Sequence, residues 1–466
     1  MNGLSVSLHD RKRLLLTVSM ATVFVLLVGG PNALANTVRC VPNLNVNPGC
    51  VAPAYATISA AVTAASPYDV IVVGPGHYNE SVAIYVSITI LGAQAGRDAR
   101  EGRDNPAKES IVDATNKEGT TGAAGGGAAF YVGAPLVVID GFTIEGGGVT
   151  NGSPGPYASG IFAAAPNTRI LNNIIQNNAV GVYIFENSPH LVEYNLFKTN
   201  NAGAAGSSVK DFAGTAGYGV AVYSSSVNII IENEFEGNLA AAVVIDQSGD
   251  AEITKNTSKN DGSFAVFYKS CCSFFNYNQG RDFGAQGFIL FPGVGPSGLP
   301  RHADAAVDVG YENAGIQIND NDLEEGKTPN YNGIAFSTIF GNGVACGNCH
   351  VTKNKIKRFA SNGIIAEESS GGEGTLVYSE ISGNDVEDNG NDGILIQQLG
   401  SNFYNTLVDN EAEGNSVNDC EDDTYIPPVG PGSGTAETYN TWFNNIGTLR
   451  SPVAICAPGA GNYYEY

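Results

Sequence analysis

Positive charge is scarce in this chain. Only 23 of its 466 residues are Lys or Arg, against 46 Asp or Glu, for a net charge of −23. Such a surface repels nucleic acid and anionic lipid, so we expect no nucleic-acid partner and read the acidity as a solvated exterior. Methionine is nearly absent, with Met1 and Met20 the two present, and Trp442 is the single tryptophan. Long apolar runs are missing except for residues 14–28, which follow Arg11, Lys12 and Arg13 and precede Gly29-Gly30-Pro31 and Ala33-Leu34-Ala35. A basic start, an apolar core shorter than a membrane span and small residues for cleavage describe a secretory signal peptide. We therefore expect residues 1–35 to be removed, no membrane partner, and a secreted or periplasmic location. Removal takes away three basic residues and Asp10, moving the net charge from −23 to −25.

What is abundant is glycine, at 59 residues, together with asparagine in a repeated frame. Asn173, Asn195, Asn233, Asn256, Asn278, Asn321, Asn354, Asn384 and Asn410 each have an apolar residue three positions before and, in most cases, another two after. The spacings are 22, 38, 23, 22, 43, 33, 30 and 26 residues. The short ones set a coil of about 22 residues, and the long ones mark insertions. Within about nine residues of each Asn a small residue opens an alternating apolar strand, for example Gly181-Val182-Tyr183-Ile184, with others from Gly219, Ala242, Gly287, Gly333, Gly363 and Gly393. Stacked coils pair strand on strand about 4.8 Å apart and pile identical residues into ladders. An Asn at the corner is expected to take the left-handed conformation while its amide bonds to its equivalents above and below.

Before the repeat, residues 55–65 place Ile58, Ala61, Val62 and Ala65 at helical spacing, which predicts a short capping helix. Residues 69–73 and 86–91 follow as strands, and Phe142 stands where an Asn is expected. The sequence thus divides into a signal peptide (1–35), an N-terminal cap (36–66), a β-solenoid (67–415) and a C-terminal cap (416–466), the last carrying Trp442 to close the bore. The fold class expected is all-β: a right-handed parallel β-helix with a short N-terminal capping helix.

The helix-then-strand entry, Gly74-Pro75-Gly76-His77-Tyr78 after it, and the Asn-centred coils resemble right-handed parallel β-helix proteins of the pectin-lyase-like superfamily over residues 54–415. The resemblance implies a secreted protein that binds or processes a polysaccharide along a groove walled by loop insertions. Its polysaccharide lyases use a basic residue to take a proton beside a uronate carboxylate that calcium neutralises. Candidates here are Arg281 and Asp282 and, in the longest insertion (292–314), Arg301, His302 and Asp304, with Asp308 following. Asp320, Asp322 and Glu324 are the candidate calcium ligands, crowding hard oxygen donors within a few residues. Two motifs of the superfamily are missing: the paired Asp with Gly-His-Gly and Arg-x-Lys of polygalacturonase-like hydrolases, and the Asp-Pro-His-Glu of epimerase-like enzymes. His190, in Ser188-Pro189-His190-Leu191, is expected on the coil surface. The alternative is a non-catalytic surface or matrix protein, in which the rod is a rigid spacer or adhesive face.

Export permits disulfides. Proximity pairs Cys40 with Cys50 and Cys420 with Cys456 as staples at the two ends, while Cys271 and Cys272 are left unassigned. Cys346-Gly347-Asn348-Cys349-His350 fits the haem-attachment pattern, but a haem also needs a second axial ligand, and the expectation here is a disulfide between Cys346 and Cys349.

Overall fold

A computed structural model describes residues 37–42, 54–117, 127–148, 158–186, 189–200, 217–284, 305–310, 312–326, 331–337, 344–367, 373–397, 401–423, 440–451 and 455–456. Each Asn-centred frame becomes one rung. The rung around Asn173, for instance, places Arg169–Leu171 in a first sheet, Ile174–Gln176 in a second and Val180–Phe185 in a third. Repetition builds sheets of 14, 12 and 13 strands respectively, with a fourth sheet of four strands in later rungs. Successive strands pair in parallel, as in Ile170↔Val192 and Ile175↔Phe197. The chain is a right-handed parallel β-helix, the hand that parallel crossovers favour.

Because most strands are only three residues long, one central side chain per strand points inward. Ile170, Val192, Ile230 and Ile253 line the first sheet, and Ile144, Ile175, Phe197 and Phe235 the second, all with no solvent exposure. At the N-terminal end the helix Ile58–Thr63 buries Ile58, Ala61 and Val62. Thr57 caps it by accepting from Ala60 N at 3.1 Å, and the Glu80 carboxylate accepts from Ile58 N and Ser59 N. At the other end Trp442 is 8% exposed in the final strand of the first sheet and donates from Nε1 to Asp422 at 2.8 Å.

The nine Asn residues form one unbroken ladder. Asn173 donates its backbone N–H and its side-chain amide to Asn195 Oδ1 at 2.9 and 3.2 Å, and the same two bonds recur rung by rung to Asn445. Phe142 occupies the preceding rung, its N–H bonding to Asn173 Oδ1 at 2.9 Å. One expectation is corrected: the ladder Asn is not the left-handed residue. That conformation falls on the residue just before it, Tyr194 (φ 58°), Glu232 (53°), Lys255 (55°) and Tyr277 (57°) among them. The chain turns outward at this residue, so the following Asn points inward, where its amide satisfies main-chain groups that water cannot reach.

A second ladder runs five residues further on. Asn178, Asn200, Asn238 and Asp261 form its first stretch, and Asn389, Asn415 and Asp419 its second. Between them Phe283 and Phe359 stack at 6.3 Å instead. The small residue opening each third-sheet strand has a steric cause: a Cβ on Gly219 would lie 2.6 Å from Ala242 O and from the Phe235 ring.

Three further expectations need revision. The third-sheet strand of the Asn278 rung is Ala305–Val309, after the second-sheet strand Gln279–Phe283, and Gly287 lies outside the described residues. Asp308 is therefore not in a loop but in that strand, 4% exposed. His190 is 2% exposed, not on the surface, because the residue after Pro189 turns in at the start of Leu191–Glu193. Cys346 is joined to Cys349 and Cys420 to Cys456. Cys40 is disulfide-bonded, while Cys50, its expected partner, lies outside the described residues, as does the expected signal peptide.

Candidate functional site

The register of the second sheet decides which side chains meet solvent. One and three residues after each ladder Asn the chain points outward, and two residues after it points in. The outward pairs on successive rungs are Glu234/Glu236, Thr257/Lys259, Gln279/Arg281, Asp322/Glu324, Lys355/Lys357, Asp385/Glu387 and Glu411/Glu413. Charges that share a strand have one sign, so the face carries acidic and basic bands, one basic band two rungs wide at Lys259 and Arg281 and one acidic band two rungs wide from Asp385 to Glu413.

Several of these charges already pair. Lys198 lies 3.0 Å from Glu236, Lys357 3.2 Å from Asp385, and Arg358 3.0 Å from Glu324. The side chains of Lys259 and Arg281 are exceptions: exposed, one rung apart, and without an ion pair or hydrogen bond to any described residue. They sit in a depression of about 470 Å³ lined also by Glu234, Gln279, Asp322 and Glu324. Within it Asp322 Oδ1 is shielded from solvent and accepts no hydrogen bond. Burial first, and then the negative charge of Glu236, raise the carboxyl of Glu234 above its ordinary value.

The residues expected to carry chemistry are thus partly gathered. Arg281, Asp322 and Glu324 share one depression. Asp282 does not join them, because it is a left-handed corner residue (φ 64°) of the second ladder's column. Asp320 is likewise a corner residue (φ 56°) ahead of Asn321. Arg301, His302 and Asp304 lie outside the described residues.

Lys259 and Glu234 were missed by reading only the apolar positions of the frame. The positions one and three after each Asn carry the signal that would have found them.

Among the described residues, one group of three or more His, Cys, Asp or Glu side chains brings a ligand atom from each within 4.8 Å of the others: His77, Asp113 and Glu145. They come from three successive second-sheet strands, Gly76–Tyr78, Ser110–Asp113 and Thr143–Glu145.

The family model of the periplasmic copper-binding protein NosD matches residues 136–276. Comparison with curated proteins finds no match. Among solved structures, alginate lyase from Paenibacillus sp. str. FPU-7 is 16% identical with a TM-score of 0.44, the match covering 73% of this chain and 95% of that one. The mannuronan C-5 epimerase AlgE6 A-module of Azotobacter vinelandii is 12% identical with a TM-score of 0.48, covering 77% and 89%. DFA-IIIase from Arthrobacter chlorophenolicus A6 is 16% identical with a TM-score of 0.41, covering 80% and 95%.

Proposed function

We propose that this chain is a secreted or periplasmic protein that binds an acidic polysaccharide along the outer face of its second sheet and processes it there. The observation that carries the reading is the unpaired couple Lys259 and Arg281 in the depression bordered by Glu234 and Asp322. On a chain of net charge −23 two uncompensated cations side by side select an anionic group, and Arg281 offers the planar fork that grips a carboxylate. The Asp322 and Glu324 carboxylates that line the depression supply acceptors for sugar hydroxyls. Glu234, with its raised carboxyl, is the proton donor of choice. Arginine stays protonated, so Arg281 neutralises a carboxylate and does not act as the base. Calcium on Asp322 would assist that neutralisation. The periplasmic family of the matched segment supports the location.

The alternative, a rigid structural or adhesive rod, is favoured by how many charges on the face pair with one another. Titration of the mature protein with anionic and neutral polysaccharides, with and without calcium, separates the readings. Anionic polymers should bind, with at least tenfold loss in Lys259→Ala and Arg281→Ala, and unsaturated or reducing ends should accumulate. Equal affinity of parent and variants would remove the proposal. Binding without new chain ends would leave the adhesive rod.

A further inference from the structure

We infer that His77, Asp113 and Glu145 form a binding site for one divalent transition-metal ion. This stands apart from the polysaccharide reading, since the site lies on the same sheet but about six rungs, roughly 29 Å, from Arg281.

His77 Nε2 lies 3.6 Å from Asp113 Oδ2. A tetrahedral shell with bonds of about 2.1 Å sets its donors about 3.4 Å apart, so this pair is already near ligand spacing. Glu145 comes from the next rung, and its ligand atom is within 4.8 Å of both. The carboxylates are oriented from outside the group: Thr115 N donates to Asp113 Oδ1 at 2.8 Å, and Gln176 Nε2 donates to Glu145 Oε2 at 2.8 Å. Supports of this kind are what fix ligands in metal sites.

The charge balance points the same way. Neither Asp113 nor Glu145 is ion-paired with a Lys or Arg, unlike Glu236, Asp385 and Glu387 on the same sheet. Two adjacent carboxylates without a Lys or Arg partner repel each other, and a cation held between them and the imidazole removes that repulsion. One imidazole nitrogen with two carboxylate oxygens suits zinc(II) or copper(II) better than calcium, which takes six to eight oxygens. Three protein ligands leave a coordination position open to water or a further ligand. The site borders a second depression, of about 970 Å³, lined by His77, Gly92, Gln94, Lys108 and Ile111, which gives such a ligand room.

The test is equilibrium dialysis of the mature protein against zinc and, separately, copper(II), with the free thiols of Cys271 and Cys272 alkylated beforehand. One ion per chain should bind, with affinity falling at least tenfold in His77→Ala and in Glu145→Gln. Bound copper(II) should show the resonance splitting of a single nitrogen, lost in His77→Ala. His350, 3.5 Å from Glu380 but outside any three-ligand group among the described residues, is the control, and His350→Ala should bind as the parent does. His77 is 54% exposed in its side chain, so its removal should leave the melting temperature of the metal-free protein unchanged. No binding by the parent, or the same affinity in His77→Ala, would overturn the site.

Discussion

Asn238 donates both its backbone N–H and its side-chain amide to one oxygen of Asp261, at 2.6 and 2.8 Å. The other Asp261 oxygen accepts from Ser258 Oγ at 2.6 Å, and the residue has no solvent exposure. Burial is the larger influence and outweighs these bonds, raising the carboxyl to about 7. A carboxyl raised in the folded state keeps a proton that the unfolded chain releases. Stability is therefore full below about pH 4, falls as pH rises to about 7, and is flat above, at up to ~1.4 kcal/mol per pH unit. An Asn at this position would extend the amide ladder without charge. Asp261→Asn should abolish that slope and stabilise the protein by up to about 4 kcal/mol at pH 8, read by urea unfolding across pH. A variant with the parent's slope would show that another group titrates.

Asp419 ends the second stretch of the same ladder and behaves oppositely. Burial alone would raise its carboxyl, but N–H donors from Leu449, Thr448 and Asn415 outweigh that and lower it. Its contribution is present above the ordinary carboxylate range and lost as pH falls through its depressed value. Asp419→Asn loses acceptor strength where two main-chain donors meet Oδ2, so the region closed by Cys420–Cys456 should open first. Faster amide exchange at Thr448 and Leu449 in the variant, with the first rungs unchanged, is the expected result.

The Asn ladder was legible because its residues are bound both to the bend and to the neighbouring rung. Asn233 Oδ1 takes two bonds from Asn195, and its amide donates to Val192 O and Ile231 O. Removing it leaves several buried main-chain groups unsatisfied, each costing about 1–3 kcal/mol. Asn233→Ala should destabilise by at least ~3 kcal/mol in equilibrium unfolding, whereas Glu232→Ala, at the half-buried corner beside it, should cost clearly less, since what it loses is solvent-screened ion pairs with Arg100 and Lys255 at 3.7 Å.

Less of the candidate site could be read. The frame was recognised by its inward residues, and those say nothing of which outward charges find partners across rungs. Whether Lys259 is free depends on register between strands 22 or more residues apart, as does the meeting of His77 with Asp113 and Glu145. No short motif joins His77 to residues on the next two rungs. Asp282 and Asp320 misled for the opposite reason: adjacent in sequence to outward residues, they belong to the corner columns.

Gly219 tests how tightly the rungs are stacked. Its missing Cβ would fall 2.6 Å from both Ala242 O and the Phe235 ring, and neither can withdraw without breaking the third-sheet pairing or the bore. Overpacking of this kind costs about 1–3 kcal/mol. Gly219→Ala should lower stability by that amount, while Gly96→Ala, with nothing within 4 Å of the added carbon, should show only the cost of its positive φ of 74°.

The start of the Asn ladder is held by a buried ion pair. Arg103, its side chain fully buried, pairs with Glu109 and donates to Asn172 O and, at 3.3 Å, to Phe142 O, the main-chain acceptors flanking the first rung. Glu109 in turn accepts from Thr143 Oγ1 at 3.0 Å. Truncating one member leaves the other charge buried without its partner, a loss of about 3–5 kcal/mol. Arg103→Ala and Glu109→Ala should each destabilise on that scale. Arg103→Met with Glu109→Leu should cost clearly less than the sum of the single changes, because no lone charge remains, although the carbonyls of Phe142 and Asn172 still lose their donor. Additive losses in a double-mutant cycle would instead mean that Arg103 acts through those two carbonyls and not through Glu109.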